Sequence, residues 1–199
     1  MSKAANVFRR RADAFETLIS RVPDDQWTAQ SPCKDWDARG VVGHVVARLR
    51  EMLKPLGRAP SPAPSVEDDP LGAFRVARAD VEAVLDDPVL AKSRTQSPLG
   101  TLPAEEMIDR VASQDIVIHG WDLAKATGQS ASINLVDVRA IFPRAASMPR
   151  ELREPDVFGP GVAFGPPVKV PEGAPAQDRL LAMLGRDPRW TPPKRRRRR

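Results

Sequence analysis

The sequence is 199 residues long, 41% hydrophobic and 29% charged, which is typical of one globular domain with a sizeable core. Its net charge of +5 resides in the C-terminal run of basic residues at 194–199, so the body of the chain is not expected to form a nucleic-acid-binding surface. The one cysteine excludes an intramolecular disulfide, and no run approaches the roughly 20 apolar residues of a membrane span, which together predict a cytoplasmic protein.

Three amphipathic helices are predicted in the first half of the chain. Apolar residues recur every three or four positions over 4–22, again from an Asp37 N-cap to about Leu53, and a third time over 71–85. A Pro/Ser/Ala-rich stretch at 59–70 joins the second and third helices and is long enough to cross one end of a bundle.

A fourth helix is predicted from a Thr101 cap to Gly128, with Pro103 in its first turn. This helix places Asp115 and His119 one turn apart on the same stripe as its apolar residues, so two polar groups face the core. A buried carboxylate without a partner is costly. The pair therefore requires either a partner within the fold or a ligand.

Two shorter helices are predicted beyond the fourth, at about 135–146 and 178–184, with a Gly/Pro-rich stretch between them that is too irregular to be helical. Four long amphipathic helices with one long connection indicate an all-α helix bundle, in which sites are built from side chains on facing helices.

The chain is accordingly expected to form a single domain. We predict that this helical-bundle domain spans residues 1–190, with a bundle core at about 4–147 and a C-terminal arm at 148–190. Residues 191–199 are predicted to be a disordered basic tail.

The candidate site is built on the two histidines of the chain. His44 lies at the edge of the apolar side of the second helix, which suits a side chain that reaches between helices. His44, Asp115 and His119 form the two-imidazole, one-carboxylate set of catalytic zinc sites, which leave one coordination position open. The alternative is that Asp115 and His119 simply pair with each other, as buried polar groups must.

Other residues near these motifs receive less specific predictions. Asp122, three residues after His119, could support that imidazole through a hydrogen bond, although capping or an ordinary ion pair is the alternative. Trp36 and Trp121 are expected to be packing residues, with a stacking platform as the alternative. Cys33 has no histidine or acid at a local motif spacing, which favours a structural role over a nucleophilic one.

Three segments carry a resemblance to a known family. SPCKDWDARGVVGHVV at 31–46, DIVIHGWDLAKATGQ at 115–129 and QDRLLAMLGRDPRW at 177–190 resemble the DinB/YfiT-like superfamily. Within it, they are similar to actinobacterial proteins related to the N-terminal metal-binding domain of mycothiol-dependent maleylpyruvate isomerase. The resemblance implies a DinB-like four-helix bundle with a long crossover, to which this chain adds a Pro/Gly-rich C-terminal arm and a short helix.

The resemblance also implies a metal centre. Family members hold a divalent metal, usually zinc, through one histidine of the second helix and an acid and a histidine four residues apart on a later helix. In this sequence those residues are His44, Asp115 and His119. Two departures matter: the family usually has a glutamate at the position of Asp115, and the isomerase itself has a second domain where this chain has the arm and tail. The isomerase reaction itself is therefore not implied.

These observations give a functional hypothesis. We expect a metal-dependent enzyme that uses Zn²⁺, or another divalent ion such as Ni²⁺, Mn²⁺ or Fe²⁺, to activate a low-molecular-weight thiol, with mycothiol as the cosubstrate. The thiol would be transferred to a small electrophile or would assist its isomerisation, and a homodimer is left open. One alternative is a non-catalytic metal- or small-molecule-binding module in stress response. A weaker one is a nucleic-acid-associated protein that makes non-specific contacts through 195–199.

Overall fold

The computed structural model describes residues 2–97, 99–147 and 165–193. Its elements, in chain order, are the helices α1 (Lys3–Ser20), α2 (Ala38–Glu51), α3 (Pro70–Asp86) and α4 (Pro88–Lys92), the strands β1 (Arg94–Ser97) and β2 (Gly100–Pro103), and the helices α5 (Ala104–Arg110), α6 (Ala112–Ala126), α7 (Leu135–Ala146) and α8 (Ala176–Met183). Single turns of 3-10 helix at Asp24–Gln26 and Lys54–Leu56 follow α1 and α2.

Four of these helices form the bundle. α1 packs against α3 and α6, and α2 packs against the same two helices, so the four close into a ring in the order α1, α3, α2, α6. Their apolar stripes face inward, and Phe15 of α1 meets Phe74 of α3 edge to face with ring centroids 5.1 Å apart. The expectation of an all-α, DinB-like four-helix bundle is confirmed.

Local sequence explains where the second and third helices begin. The Asp37 side chain accepts a hydrogen bond of 2.8 Å from the Gly40 amide and caps α2 as predicted. The Asp69 side chain likewise accepts a hydrogen bond from the Gly72 amide and caps α3, where Pro70 occupies the first helical position. The Asp37 cap thus fixes the start of α2, the helix that carries His44.

The prediction of one continuous helix from Thr101 to Gly128 is wrong. Thr101 lies in β2, which pairs antiparallel with β1 through a turn that Gly100 closes at a φ of 94°. Pro103 has extended backbone angles and ends the hairpin, so α5 begins only at Ala104, and a further break at Val111 separates α5 from α6. The apolar periodicity continues across this break, which is why the pattern alone indicated a single helix.

The C-terminal segment packs against the outer side of α6. Ile118 of α6 shares an apolar cluster with Ile141 of α7 and with Leu180 and Leu184 at the end of α8. The two short helices predicted at about 135–146 and 178–184 are thus present as α7 and α8. Both helices help to hold the segment that follows α8 close to α6.

Part of the predicted arm and most of the predicted tail lie outside the described residues. Within the described part of the arm, residues 165–175 contain neither helix nor strand, in agreement with their Gly/Pro-rich composition. The backbone amide of Val168 donates to the carbonyl of Ala182 at 2.9 Å, which attaches this stretch to α8. Among the residues that the structure describes, no helix is long and apolar enough to cross a lipid bilayer.

Candidate metal centre

The two histidines of the chain meet one carboxylate between α2 and α6. Nε2 of His44 lies 3.3 Å from Oδ2 of Asp115, and Nε2 of His119 lies 3.4 Å from Oδ1 of the same side chain. The two imidazole rings are edge to face with centroids 4.6 Å apart. His119 and Asp115 are buried, and His44 is 11% exposed. The structure therefore brings together the three side chains that the sequence grouped.

The donor atoms of this group have no hydrogen bonds. His44 Nε2, His119 Nε2 and Asp115 Oδ2 are inaccessible to solvent and form no hydrogen bond with any described residue. Buried polar atoms left in this state are costly. Asp115 and His119 thus form an ion pair at 3.4 Å, as in the alternative of a simple pair, but no hydrogen bond joins the two side chains.

The spacing of the donors fits a metal ion. One donor atom from each of the three residues can be chosen so that all lie within 4.8 Å of one another. In a tetrahedral zinc site with bonds of about 2.0–2.1 Å, neighbouring ligand atoms are roughly 3.3 Å apart. Asp115 presents Oδ2 at 3.3 Å from Nε2 of His44 and Oδ1 at 3.4 Å from Nε2 of His119, so each carboxylate oxygen lies near that separation from one imidazole. The three side chains are thus able to hold a divalent metal.

The charges of the three side chains perturb one another strongly. Burial raises the pKa of Asp115, but the charges of His119 and His44 outweigh it and hold the pKa of this carboxyl well below its usual range. Burial lowers the pKa of His119, but the Asp115 carboxylate opposes it and the pKa lies well above its ordinary value. A metal ion must consequently displace a proton from His119 in order to bind Nε2.

Asp122 supports His119 from the opposite side of the ring. Its Oδ2 lies 2.9 Å from Nδ1 of His119, and both side chains are fully buried. Burial raises the pKa of Asp122, but the charge of Arg186 and the hydrogen bond with His119 hold the pKa of this carboxyl below its usual range. As a carboxylate, Asp122 accepts a hydrogen bond from Nδ1–H of His119. The other ring nitrogen, Nε2, is therefore directed at His44 and Asp115.

Arg186 anchors Asp122. Its Nη2 donates to Oδ2 of Asp122 at 2.8 Å, its Nε donates to Oδ1 at 3.3 Å, and its Nη1 donates to the carbonyl of Leu184 at 2.9 Å. The chain can turn Arg186 inward because Gly185 adopts a φ of 81° and passes so close to Gly165 that an added Cβ would lie 2.5 Å from its Cα. Sequence reasoning did not identify Arg186 as part of the site.

A compact loop at 31–36, here called the cysteine loop, covers the same site. The Nε2 of Gln30 lies 3.0–3.2 Å from four loop carbonyls, and Oγ of Ser31 donates to the Trp36 carbonyl at 2.7 Å. The loop stacks Trp36 on His44 with centroids 4.4 Å apart and an interplanar angle of 28°. Trp36 packs as predicted, but its partner is a residue of the site.

The cysteine loop also places Cys33 against Asp122. Its Sγ lies 3.3 Å from Oδ2 of Asp122 and 3.4 Å from Nη2 of Arg186. A cavity of 310 Å³ adjoins this contact and is lined by Pro32, Cys33, Trp36 and Arg186 among others. The carboxylate that contacts Cys33 is therefore supplied by α6, and no spacing within the loop could have indicated it.

Comparison with known proteins agrees with this architecture. Residues 8–124 match the family described as the mycothiol maleylpyruvate isomerase N-terminal domain. This chain belongs to that family. The matched range contains His44, Asp115, His119 and Asp122, whereas Arg186 lies beyond it.

Two kinds of relative extend the comparison of this family member. Uncharacterised proteins of two Mycobacterium tuberculosis strains are each 32% identical over 178 residues, which cover 89% of this chain and 94% of theirs. The crystal structure of a histidine-to-alanine variant of mycothiol-dependent maleylpyruvate isomerase matches 72% of this chain and 68% of its own, with a TM-score of 0.52 and 15% identity. The isomerase and this family member therefore share a fold.

Proposed function

We propose that this protein is a divalent-metal-dependent enzyme that activates a low-molecular-weight thiol of the mycothiol type. The thiol would be transferred to a small electrophilic substrate or would assist its isomerisation. One observation carries the proposal, namely the convergence of buried donor atoms of His44, Asp115 and His119 that form no hydrogen bonds. Membership of a family whose description names mycothiol supports the choice of thiol.

The metal would be held by His44, Asp115 and His119. Two imidazoles and a carboxylate suit Zn²⁺ and also Ni²⁺, Mn²⁺ or Fe²⁺. A divalent ion at this position, when bound, lowers the pKa of a coordinating thiol and so supplies a nucleophile near neutral pH. Asp122 keeps the His119 ring oriented through the Nδ1 hydrogen bond, and Trp36 excludes water from one face of His44.

We further propose that the metal site belongs to a single domain that extends to about residue 190. The support is the contact between Arg186, which follows α8, and Asp122 in α6, because both side chains are buried there. A site completed by the C-terminal segment requires that segment to fold with the bundle. In limited proteolysis, cleavage within α8 or after Arg186 should then become detectable only when the bundle itself unfolds.

A non-catalytic metal-binding module is the second candidate, and the burial of the site favours it. His44 Nε2, His119 Nε2 and Asp115 Oδ2 are inaccessible to solvent in the structure. A thiol would therefore reach the metal only if a covering element such as the cysteine loop moved. A module that only binds metal requires no such access.

Metal analysis of the purified protein tests the shared part of both candidates. We expect about one equivalent of divalent metal in the wild type and a loss of most of it in His44→Ala and His119→Ala. Val89→Ala, at a position that is 77% exposed, is the control and should retain the metal. A wild type without bound metal after incubation with Zn²⁺, Ni²⁺, Mn²⁺ and Fe²⁺ would refute the metal site.

A thiol-conjugation assay separates the enzyme from the binding module. The metal-loaded protein is incubated with mycothiol and a panel of small electrophiles, including maleylpyruvate, and compared with His119→Ala. Thiol-dependent turnover that is lost in the variant supports the enzyme. A metal-loaded protein that turns over none of the electrophiles supports the binding module.

A further inference from the structure

His119 belongs to two groups of possible metal ligands at once. The first group is His44, Asp115 and His119, and the second is Cys33, His119 and Asp122, with one donor atom from each residue within 4.8 Å of the others in both cases. The imidazole faces the first group with Nε2 and the second with Nδ1. A cysteine thiolate is a strong ligand for zinc, so ligand chemistry alone does not direct the metal to the first group.

The guanidinium of Arg186 lies against the donor atoms of the second group. Its Nη2 lies 2.8 Å from Oδ2 of Asp122 and 3.4 Å from Sγ of Cys33, two of the three donor atoms of that group. The side chain is 4% exposed and is held in place by a further hydrogen bond with the Leu184 carbonyl. A guanidinium N–H thus points at the position where a metal ion would bind Asp122 and Cys33.

We propose that Arg186 is a positioning residue that assigns the metal to the Nε2 side of His119. This inference rests on the proposed metal site and adds to it the element that selects between two overlapping ligand groups. The guanidinium excludes a divalent cation from the second group because like charges in contact repel strongly in a buried site. It also keeps Asp122 available as the acceptor for Nδ1–H of His119, so the proton that His119 loses on metal binding is the one on Nε2.

Substitution of Arg186 should therefore allow a metal ion to bind the second group of ligands. Arg186→Gln loaded with Co²⁺ is expected to show a thiolate-to-cobalt charge-transfer band in the near ultraviolet that the wild type lacks. The double variant Arg186→Gln/Cys33→Ser should lose this band. Arg186→Lys keeps the positive charge and should resemble the wild type. A purely structural role for Arg186 would change the stability of the protein without creating a sulfur-to-metal band.

Histidine NMR gives a second spectroscopic readout. In long-range ¹H–¹⁵N spectra of the zinc-loaded wild type, His119 is expected to show metal-bound Nε2 and protonated Nδ1. In zinc-loaded Arg186→Gln, a fraction of His119 should show metal at Nδ1. Wild-type spectra with zinc at Nδ1, a thiolate band in wild-type protein, or a folded Arg186→Gln without such a band would each overturn the proposal.

Cysteine alkylation tests the inference even if Arg186→Gln does not fold. Bound zinc should not protect Cys33 of the wild type from modification by iodoacetamide, because the metal does not contact this thiol. Protection of Cys33 by zinc would overturn the proposal.

Failure of this inference can be told apart from failure of the proposed function. If the wild type binds no metal but Arg186→Gln gains the thiolate band, the His44 site is refuted, and only the exclusion of metal from the second group by Arg186 stands. If the wild type binds metal through His44 and Arg186→Gln gives the same cobalt spectrum, the metal site stands and the role of Arg186 is refuted.

Discussion

Arg186 and Asp122 are 64 positions apart in the sequence, yet their side chains form two hydrogen bonds of 2.8 and 3.3 Å in a site from which solvent is excluded. Burial lowers the pKa of Arg186, but the Asp122 carboxylate outweighs it and keeps the pKa above its ordinary value. The pair is thus fully ionised. Because Asp122 also accepts a hydrogen bond from Nδ1–H of His119, the C-terminal segment is linked to the candidate metal site.

Replacing Asp122 with asparagine should weaken both metal binding and the fold. Loss of a partner that orients a ligating imidazole lowers metal affinity by about 10–100-fold. Removal of one member of a buried ion pair costs about 3–5 kcal/mol, because Arg186 keeps its charge in the same buried position. Zinc affinity is measured by competition with a chelator, and the free energy of unfolding by urea denaturation.

Asp35→Asn is the matched control for Asp122→Asn. Asp35 is exposed on the cysteine loop, so its substitution removes the same charge without removing a buried contact. Its zinc affinity and stability should remain close to those of the wild type. Equal effects of the two substitutions would show that net charge, and not the contact with His119, controls the metal site.

Metal binding should be pH-dependent with a defined sign. The pKa of His119 lies well above its ordinary value because Asp115 stabilises the imidazolium, so His119 is protonated in the metal-free protein at neutral pH. A metal ion that binds Nε2 displaces one proton. Affinity should therefore rise by about tenfold per pH unit as long as the pH is below that pKa.

Isothermal titration calorimetry in buffers of different ionisation enthalpy measures this proton release directly. We expect about one proton per zinc ion at neutral pH. A zinc affinity that is constant between pH 6 and 8, with no proton release, would contradict the assignment of His119 as a ligand.

The grouping of His44, Asp115 and His119 could be predicted because it depends on helical geometry. Residues four apart on a helix lie above one another, so Asp115 and His119 had to share a face. His44 is the other histidine of the chain, and the family resemblance supported its place in the same group. Asp122 could be predicted for the same reason, since it lies one turn beyond His119 on α6.

Arg186 and Cys33 could not be predicted because no repeating pattern fixes where they lie. The cysteine loop owes its shape to the hydrogen bonds of Gln30 and Ser31, and Arg186 owes its direction to the turn at Gly185. Such turns depend on tertiary contacts, which a sequence pattern does not contain. The β1–β2 hairpin was missed for a related reason, because its four-residue strands are too short to show a period of two.

Trp36 should report on metal binding through its fluorescence. Its ring is stacked 4.4 Å from His44 and lies 5.5 Å from the His119 ring, measured between centroids, so a paramagnetic ion bound by both histidines would be close to it. We expect Co²⁺ to quench part of the tryptophan emission of the wild type. The emission of Trp36→Phe, which comes from the three remaining tryptophans, should be quenched much less. Trp27→Phe, at another tryptophan of the same region, is the control and should retain the quenching.

Asp137 should control stability at low pH. Its carboxylate accepts hydrogen bonds from Arg10 at 2.7 Å and from Arg11 at 2.8 Å, which tie α7 to α1. Burial raises the pKa of Asp137, but these hydrogen bonds outweigh it and the pKa is lowered. A carboxyl with a lowered folded-state pKa stabilises the protein above its unfolded pKa of about 3.9, and this contribution is lost as the pH falls through the folded-state value.

Asp137→Asn is therefore expected to lose about 2–4 kcal/mol of stability at pH 7, and the loss relative to the wild type should shrink below about pH 4. The lower end of this range applies because Arg11 keeps its contacts with Ser113 and Asp109 in the variant.

Asp86→Asn is the control, because Asp86 pairs with Arg9 at the surface, where ion pairs contribute about 0–1 kcal/mol. Urea denaturation from pH 3 to 8 measures both variants. A constant difference between Asp137→Asn and the wild type across that range would show that the carboxylate charge does not stabilise the contact between α7 and α1.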